Sequence, residues 1–315
     1  MKVAWLFPGQ GAQAVGMCRD IFDASAAARA VLAEADEALG EPISRLILEG
    51  PEDVLTLTAN AQPAIVAVSC AVLAAMHERH VLELPSFGAG HSLGEYSALV
   101  ASGALRFADA VRLVRARGKA MQEAVPPGMG AMAAVMGLDP ERVEAICAQA
   151  STESGEIVSA ANFNAPGQVV IAGHAKAVAL ASELVSAEKG KAIQLKVSAP
   201  FHCALMAPAA LVVAEHLDRI ELGELAFPIV ANVDARPNAA AHRVKELLVR
   251  QVDGAVRWEE SVRHKHQAGV TLALEIGPGK VLAGLLKRIS KDIKVLSVGD
   301  LASLEQVPTF LTGPA

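Results

Sequence analysis

Gly90-His91-Ser92-Leu93-Gly94 fits G-x-S-x-G, and it falls where a short strand pattern, Phe87 to His91, gives way to a helical one, Glu95 to Ser102. A serine on such a turn is held with its hydroxyl raised above the sheet, and glycines flank it because the backbone doubles back too tightly for side chains. The helix that starts behind it turns backbone N–H groups and a positive dipole end toward any oxyanion formed at the serine. The chemistry expected of Ser92 is therefore nucleophilic attack on an acyl group. With 25 glycines in 315 residues, the pattern alone arises by chance in some chains, so its place between strand and helix carries the argument.

A serine hydroxyl needs a base, and histidine is the usual one near neutral pH. Of nine histidines, His77 and His80 close a helix, while His264 and His266 belong to the charged run Arg263-His264-Lys265-His266; these four read as surface residues. His91 adjoins Ser92, but neighbours on a tight turn point apart, so it reads as a support for the turn. His174, His216 and His242 lie in or beside helical segments. His202 differs, because Ser198-Ala199-Pro200-Phe201-His202-Cys203 is a non-repetitive loop after a strand, which would hang an imidazole over a cleft between two units of chain. Two further segments stay open at this level. Phe7-Pro8-Gly9-Gln10-Gly11-Ala12-Gln13 is a glycine loop after a strand, either a plain turn or a weak phosphate-binding loop, without GxGxxG spacing or a P-loop lysine. Arg117 is one of several bases in Arg112-Leu113-Val114-Arg115-Ala116-Arg117, which on their own describe a solvated helix face.

The elements that must position these groups alternate. Lys2 to Phe7 reads as a buried strand, followed by helices around Ser25 to Leu39 and Gln62 to His80, and by Phe107 to Ala124 after the serine turn; this is the signature of an α/β unit with a largely parallel sheet. Pro126-Pro127-Gly128 then punctuates the chain. Strand Gly130 to Met136, helix Pro140 to Ser151, strands Ile157 to Phe163 and Gln168 to Gly173, helix Ala175 to Lys189 and strand Lys191 to Val197 give β-α-β-β-α-β, a ferredoxin-like order. The expected architecture is an α/β-hydrolase-like domain at 1–126 and 198–315 with a ferredoxin-like subdomain inserted at 127–197. Helices near Ala207 to Leu217, Ala241 to Gln251 and Val281 to Ser290, and strands at Pro228 to Ala231 and Leu272 to Ile276, complete the larger part. Residues after Leu301 read as a tail packed on the surface or loosely ordered.

Composition narrows the function classes. At 52% hydrophobic and 20% charged residues, the chain can bury a large core. Aromatics at 3% and a net charge of −6 argue against stacking platforms and polyanion surfaces, so nucleic acid is not an expected partner. The longest apolar stretch, Ala64 to Met76, falls short of the roughly 20 residues that span a bilayer, and the N-terminal apolar run is too brief for a secretory signal. Cys18, Cys70, Cys147 and Cys203 show no metal spacing. No membrane contact, no metal and a cytoplasmic location are the expectations.

Taken together, these motifs resemble the malonyl-CoA:acyl carrier protein transacylases and the related acyltransferase domains of polyketide synthases. The similarity runs in order from Phe7 to about Arg288. It comprises Phe7 to Gln13, Gln62-Pro63-Ala64, Gly90 to Tyr96, Arg117-Gly118, Gly130-Ala131-Met132, Asn162 to Gln168, the His202 loop, Ala231-Asn232-Val233 and Glu275-Ile276-Gly277-Pro278-Gly279. The resemblance implies an acyl transfer in two halves through a seryl ester, with Ser92 as nucleophile and His202 as base. It implies backbone N–H groups of Gln10 and Leu93 as the oxyanion hole, and Arg117 as a bidentate partner of the malonyl carboxylate. Gln62, Phe201 and Asn162 would join Arg117 on the substrate side, and Gln251 would help orient the histidine, giving a dyad rather than a triad. Phe201 and Leu93 resemble the types that select malonyl over methylmalonyl. Malonyl-CoA is then a substrate, the phosphopantetheine travels on an acyl carrier protein, no cofactor is needed and a monomer is expected. Lys189, Lys191, Lys287, Arg288 and Lys291 are candidates for a basic rim facing the acidic carrier.

The chain departs from that family at Ala12, where serine is usual, and at Asp253-Gly254-Ala255. Two other readings compete. A serine hydrolase of the α/β-hydrolase class shares G-x-S-x-G but needs an acid on the histidine, and the acids between residues 92 and 202 lie mostly on the surfaces of the inserted unit. A non-catalytic carrier-binding scaffold would form no acyl-enzyme at all.

Overall fold

The computed structural model describes residues 1–313. Its larger sheet contains β1 (Lys2–Phe7), β2 (Phe87–Gly90), β7 (Ile229–Val230), β8 (Pro237–Asn238), β9 (Val270–Ile276) and β10 (Lys294–Val298), in the order β10-β9-β1-β2-β7-β8. Every neighbouring pair is parallel except β7 with β8. The central strand β1 shows why: Trp5 and Phe7 enter one core cluster while Ala4 and Leu6 enter another on the opposite face. A strand apolar on both sides needs helices on both sides, and parallel crossovers supply them.

The second sheet is built from β3 (Gly130–Met136), β4 (Val158–Ala165), β5 (Gln168–His174) and β6 (Lys191–Gln194), in the order β4-β5-β3-β6, antiparallel throughout. Helices Pro140–Ser154 and Ala175–Ala187 bury Val143, Ile146, Ala177 and Val185 against one face of it. On the other face Met132, Ala161, Val170 and Ala172 cluster with Cys203 and pack Phe201 and Leu205, so this sheet backs the loop that carries His202. A short run of chain joins the two sheets. Val256 N–H donates to Ala161 O and accepts, through its own carbonyl, from Phe163 N–H at 2.9 Å each, while Arg257 N–H donates to Asn232 O at 2.9 Å.

Two helices carry the site from the side. Thr58–Arg79 is longer than the Ala64 to Met76 stretch suggests, because Pro63 sits inside it rather than at its start. Proline lacks the N–H that would reach the carbonyl four residues back; that carbonyl, Ala59 O, accepts instead from Arg115 Nη1 at 2.7 Å. This helix is long and apolar enough to cross a membrane by length and composition, which corrects the length argument above, and 83% of its apolar window is buried inside the protein. Phe107–Glu123 packs against it with Ala110, Val114, Arg117 and Met121 on its buried face. The segment after Leu301 takes the first of its two readings, packed rather than loosely ordered. It forms helices Leu301–Glu305 and Val307–Thr312, the first held by an Asp300 capping box, with Leu304 and Val307 fully buried.

Candidate active site

The chain leaves β2 at Gly90 and reverses within four residues. A Cβ on Gly90 would lie 1.8 Å from the Gly94 carbonyl carbon, and one on Gly94 would lie 2.0 Å from Phe7 O, so both positions exclude any other residue. Between them Ser92 takes φ 50°, the left-handed region that costs a side-chain-bearing residue about 1–3 kcal/mol. Asn232 holds the turn: its Oδ1 accepts from Ser92 N–H at 2.6 Å and its Nδ2 donates to Gly90 O at 2.7 Å. His91 points away from Ser92, donating through Nε2 to Asn164 Oδ1 at 2.8 Å and tilting against Trp258. That hydrogen bond ties the serine turn to β4.

His202 also sits at positive φ, 60°, and its imidazole is 4% exposed. Nε2 lies 2.6 Å from Ser92 Oγ and Nδ1 lies 2.9 Å from the backbone oxygen of Gln251. A carbonyl only accepts, so Nδ1 carries the proton and Nε2 offers its lone pair to the serine hydroxyl. Burial, reinforced by the Arg117 charge, pulls the imidazole pKa down to about 3, which keeps it neutral, with its Nε2 lone pair free, across the neutral range. Gln251 thus orients the histidine through its backbone. Its side chain does something else: Oε1 accepts from Arg117 Nη2 at 3.0 Å, and Nε2 donates to Ser92 O at 2.9 Å and to Glu95 Oε2 at 2.8 Å.

Arg117 is 1% exposed rather than solvated. Nη1 donates to Gln62 Oε1 at 2.7 Å, Nη2 reaches Ser92 Oγ at 3.1 Å, and the guanidinium carbon stands 5.4 Å from the centre of the Tyr96 ring. Burial works against its charge, while Tyr96 and Glu95 favour it. All its hydrogen-bond partners are neutral, so a carboxylate entering the cavity would be its first anionic ligand at bonding distance. The cavity, about 100 Å³, is lined by Gln10, Gln62, His91, Ser92, Leu93, Arg117, Met121, Asn162, Phe201 and His202. Every site residue named from the sequence lines it except Gln251, which stands behind it. Among the described residues, no protein acceptor meets the backbone N–H of Gln10 or Leu93, and Gln10 is anchored by its side chain to Thr58 Oγ1 at 3.1 Å.

Glu95, Asn232 and Met121 are the functional neighbours that the sequence did not single out. Glu95 is 3% exposed, and its Oε2 accepts from Asn232 N–H at 3.0 Å besides Gln251. Burial pushes its carboxyl up to about 7. In the structure its neighbours Gly94, Tyr96 and Ser97 are all buried with it.

An acyl transferase domain family matches residues 4–310 of the chain. The malonyl CoA-acyl carrier protein transacylase of Bacillus subtilis (strain 168) is 48% identical over 305 residues, covering 96% of this chain and 95% of that protein. The one from Escherichia coli (strain K12) is 46% identical over 289 residues, covering 91% and 93%. Among solved structures, an acyl-carrier-protein-S-malonyltransferase from Bartonella henselae superposes with a TM-score of 0.96 at 47% identity, covering 99% of this chain and all of that one. A malonyl-transacylase solved in complex with its type II polyketide synthase acyl-carrier protein gives 0.95 at 44%, with the same coverage.

Proposed function

The chain belongs to the acyl transferase domain family, and from that premise we propose that it transfers a malonyl group from malonyl-CoA to the phosphopantetheine thiol of an acyl carrier protein through an ester on Ser92. The observation that carries this function is the convergence of three groups on one oxygen: Ser92 Oγ lies 2.6 Å from His202 Nε2 and 3.1 Å from Arg117 Nη2.

In the first half-reaction the Ser92 hydroxyl proton passes to His202 Nε2 as Oγ bonds to the thioester carbonyl carbon. The charge that develops on the carbonyl oxygen faces the N–H groups of Gln10 and Leu93. The carbon–sulfur bond then breaks, and the coenzyme A sulfur leaves with the proton from the imidazolium. In the second half the carrier's thiol gives its proton to His202, its sulfur attacks the ester carbon, and the proton returns to Ser92 Oγ as the C–O bond breaks. Arg117 grips the malonyl carboxylate throughout, with Gln62 and Gln251 fixing the guanidinium plane. Asn162 and Phe201 close the substrate side. The chemistry needs no metal or organic cofactor.

The hydrolase alternative gains nothing from the geometry, since the partner of His202 Nδ1 is a backbone carbonyl rather than a carboxylate. The larger unit, 1–126 with 198–315, is read as α/β-hydrolase-like on its parallel sheet and serine turn. The unit at 127–197 is read as ferredoxin-like on its β4-β5-β3-β6 order. Intact-protein mass spectrometry after brief exposure to malonyl-CoA tests the function. A malonyl adduct is expected on the wild type and none on Ser92→Ala, with discharge on adding holo acyl carrier protein. Steady release of free malonate would instead identify a hydrolase, and no adduct at all a scaffold.

A further inference from the structure

Glu95 opens the helix Gly94–Ala101, yet its carboxylate caps nothing in that helix. Its partners are the Asn232 N–H and the Gln251 side chain, 137 and 156 positions away along the chain. Each partner then touches the machinery. Asn232 holds Ser92 N–H, and Gln251 holds Arg117 Nη2. Burying an acid is costly, and a local structural cap does not account for this one.

We propose that Glu95 is a positioning residue for malonyl selection: its carboxylate fixes which way the Gln251 amide faces and thereby holds Arg117 over the nucleophile. An amide is two-sided, an acceptor on one side and a donor of two hydrogens on the other. Gln251 Nε2 has two hydrogens, and both are spent on oxygens that accept them, Ser92 O and Glu95 Oε2. The remaining atom, Oε1, must then face the guanidinium. Turned over, the amide would set its oxygen against two acceptors and its NH₂ against a cation. Without an acceptor at position 95 the side chain loses one of the contacts that define its orientation, and the guanidinium loses rigidity where a malonyl carboxylate needs a fixed fork.

This rests on the malonyl function above, so the test keeps the two apart. Transfer from malonyl-CoA and acetyl-CoA to holo acyl carrier protein is measured for wild type, Arg117→Ala, Glu95→Leu and Glu95→Gln. Glu95→Leu is expected to raise KM for malonyl-CoA about tenfold more than KM for acetyl-CoA. Glu95→Gln keeps an oxygen that accepts both hydrogen bonds and is expected to restore the wild-type preference. Should Glu95→Leu fail to fold by thermal melting, Glu95→Asp, which withdraws the acceptor by one methylene, is expected to raise malonyl KM selectively. The positioning role is overturned if the folded variant shifts both substrates equally, leaves the preference unchanged, or is not rescued by glutamine. If Arg117→Ala itself keeps the malonyl preference, the carboxylate-binding function of Arg117 fails and the role of Glu95 falls with it.

Discussion

Two glutamates lie at comparable depth in the larger unit, Glu95 behind Ser92 at 3% exposure and Glu275 near the C-terminal end of β9 at 0%. Burial raises the pKa of both. Their donors differ. Glu275 accepts from Leu282 N–H at 2.8 Å, Ala283 N–H at 3.1 Å and Ser297 Oγ at 2.7 Å, all within 22 residues of it. It ties the start of helix Val281–Ile289 and strand β10 to β9, and none of its donors continues to the cavity. The two donors to Glu95 come from distant chain and each makes a second bond inside the site. The use of a buried acid is therefore written in what its donors hold next, and depth alone does not distinguish a brace from a control element.

The comparison predicts a separation of activity from stability. The largest effect belongs to the cavity side: His202→Ala is expected to slow acyl-enzyme formation about 10²- to 10⁴-fold, with urea unfolding little changed. Because Ser92 and His202 act as a unit, adding Ser92→Ala should bring no comparable further loss. Near-normal turnover of His202→Ala at neutral pH would remove the base from that side of the comparison.

Stability should respond on the other side. Glu275→Ala strands two buried helix N–H groups and is expected to cost about 2–4 kcal/mol in urea unfolding, while the malonyl-to-acetyl ratio of the folded fraction stays as in wild type; a changed ratio with unchanged stability would erase the distinction. The contrast sharpens with pH. The folded pKa of Glu95, about 7, is above its ordinary value of 4.5, so its favourable contribution is complete below 4.5 and lost as pH rises through 7. Glu95→Gln has no such proton to lose, and its stability relative to wild type should rise between pH 5 and pH 8 by no more than about 3 kcal/mol.

The smallest effect is expected at the solvent rim. Lys189, Lys191, Lys287, Arg288 and Lys291 are all exposed, and Arg288 Nη1 donates to Gln168 Oε1 at 2.6 Å, where helix Val281–Ile289 meets the smaller unit. Reversing Lys287 and Arg288 to glutamate should raise KM for the carrier severalfold, more at low salt, and leave KM for malonyl-CoA alone. Equal changes in both constants would count against a docking rim.

Much of this was legible in the sequence wherever apolar period and glycine punctuation agreed. Strands β1 and β3 and helix Ala207–Leu217 begin and end where the pattern puts them, and the serine turn announces itself by its glycines. What the residue pattern alone left out has more than one cause, and the first is a charged or polar residue standing on a buried stripe. Arg117 occupies the stripe of Ala110, Val114 and Met121 and so reads as one more surface base. Helix Trp258–Gln267 buries Trp258, Ser261, Val262 and Lys265, a spacing of three, four and seven whose polar members conceal it. Lys265 is 1% exposed with its Nζ 5.3 Å from the centre of the Trp258 ring. Glu95 and Asn232 stand inside segments that carry the family resemblance, yet no role could be read for either: their meaning lies in partners more than a hundred residues away, and local spacing carries no trace of such pairings. The short edge strand β10 and the last two helices were hidden by length alone.

The run of chain at Val256 and Arg257 has a mechanical meaning. It is laced to β4 on one side and to Asn232 on the other, and Asn232 is the residue that grips Ser92 N–H. The smaller sheet and the serine turn are thus laced to one another through hydrogen bonds to the backbone. A shift of β4 is therefore passed along this strut to the residue that holds the backbone of Ser92.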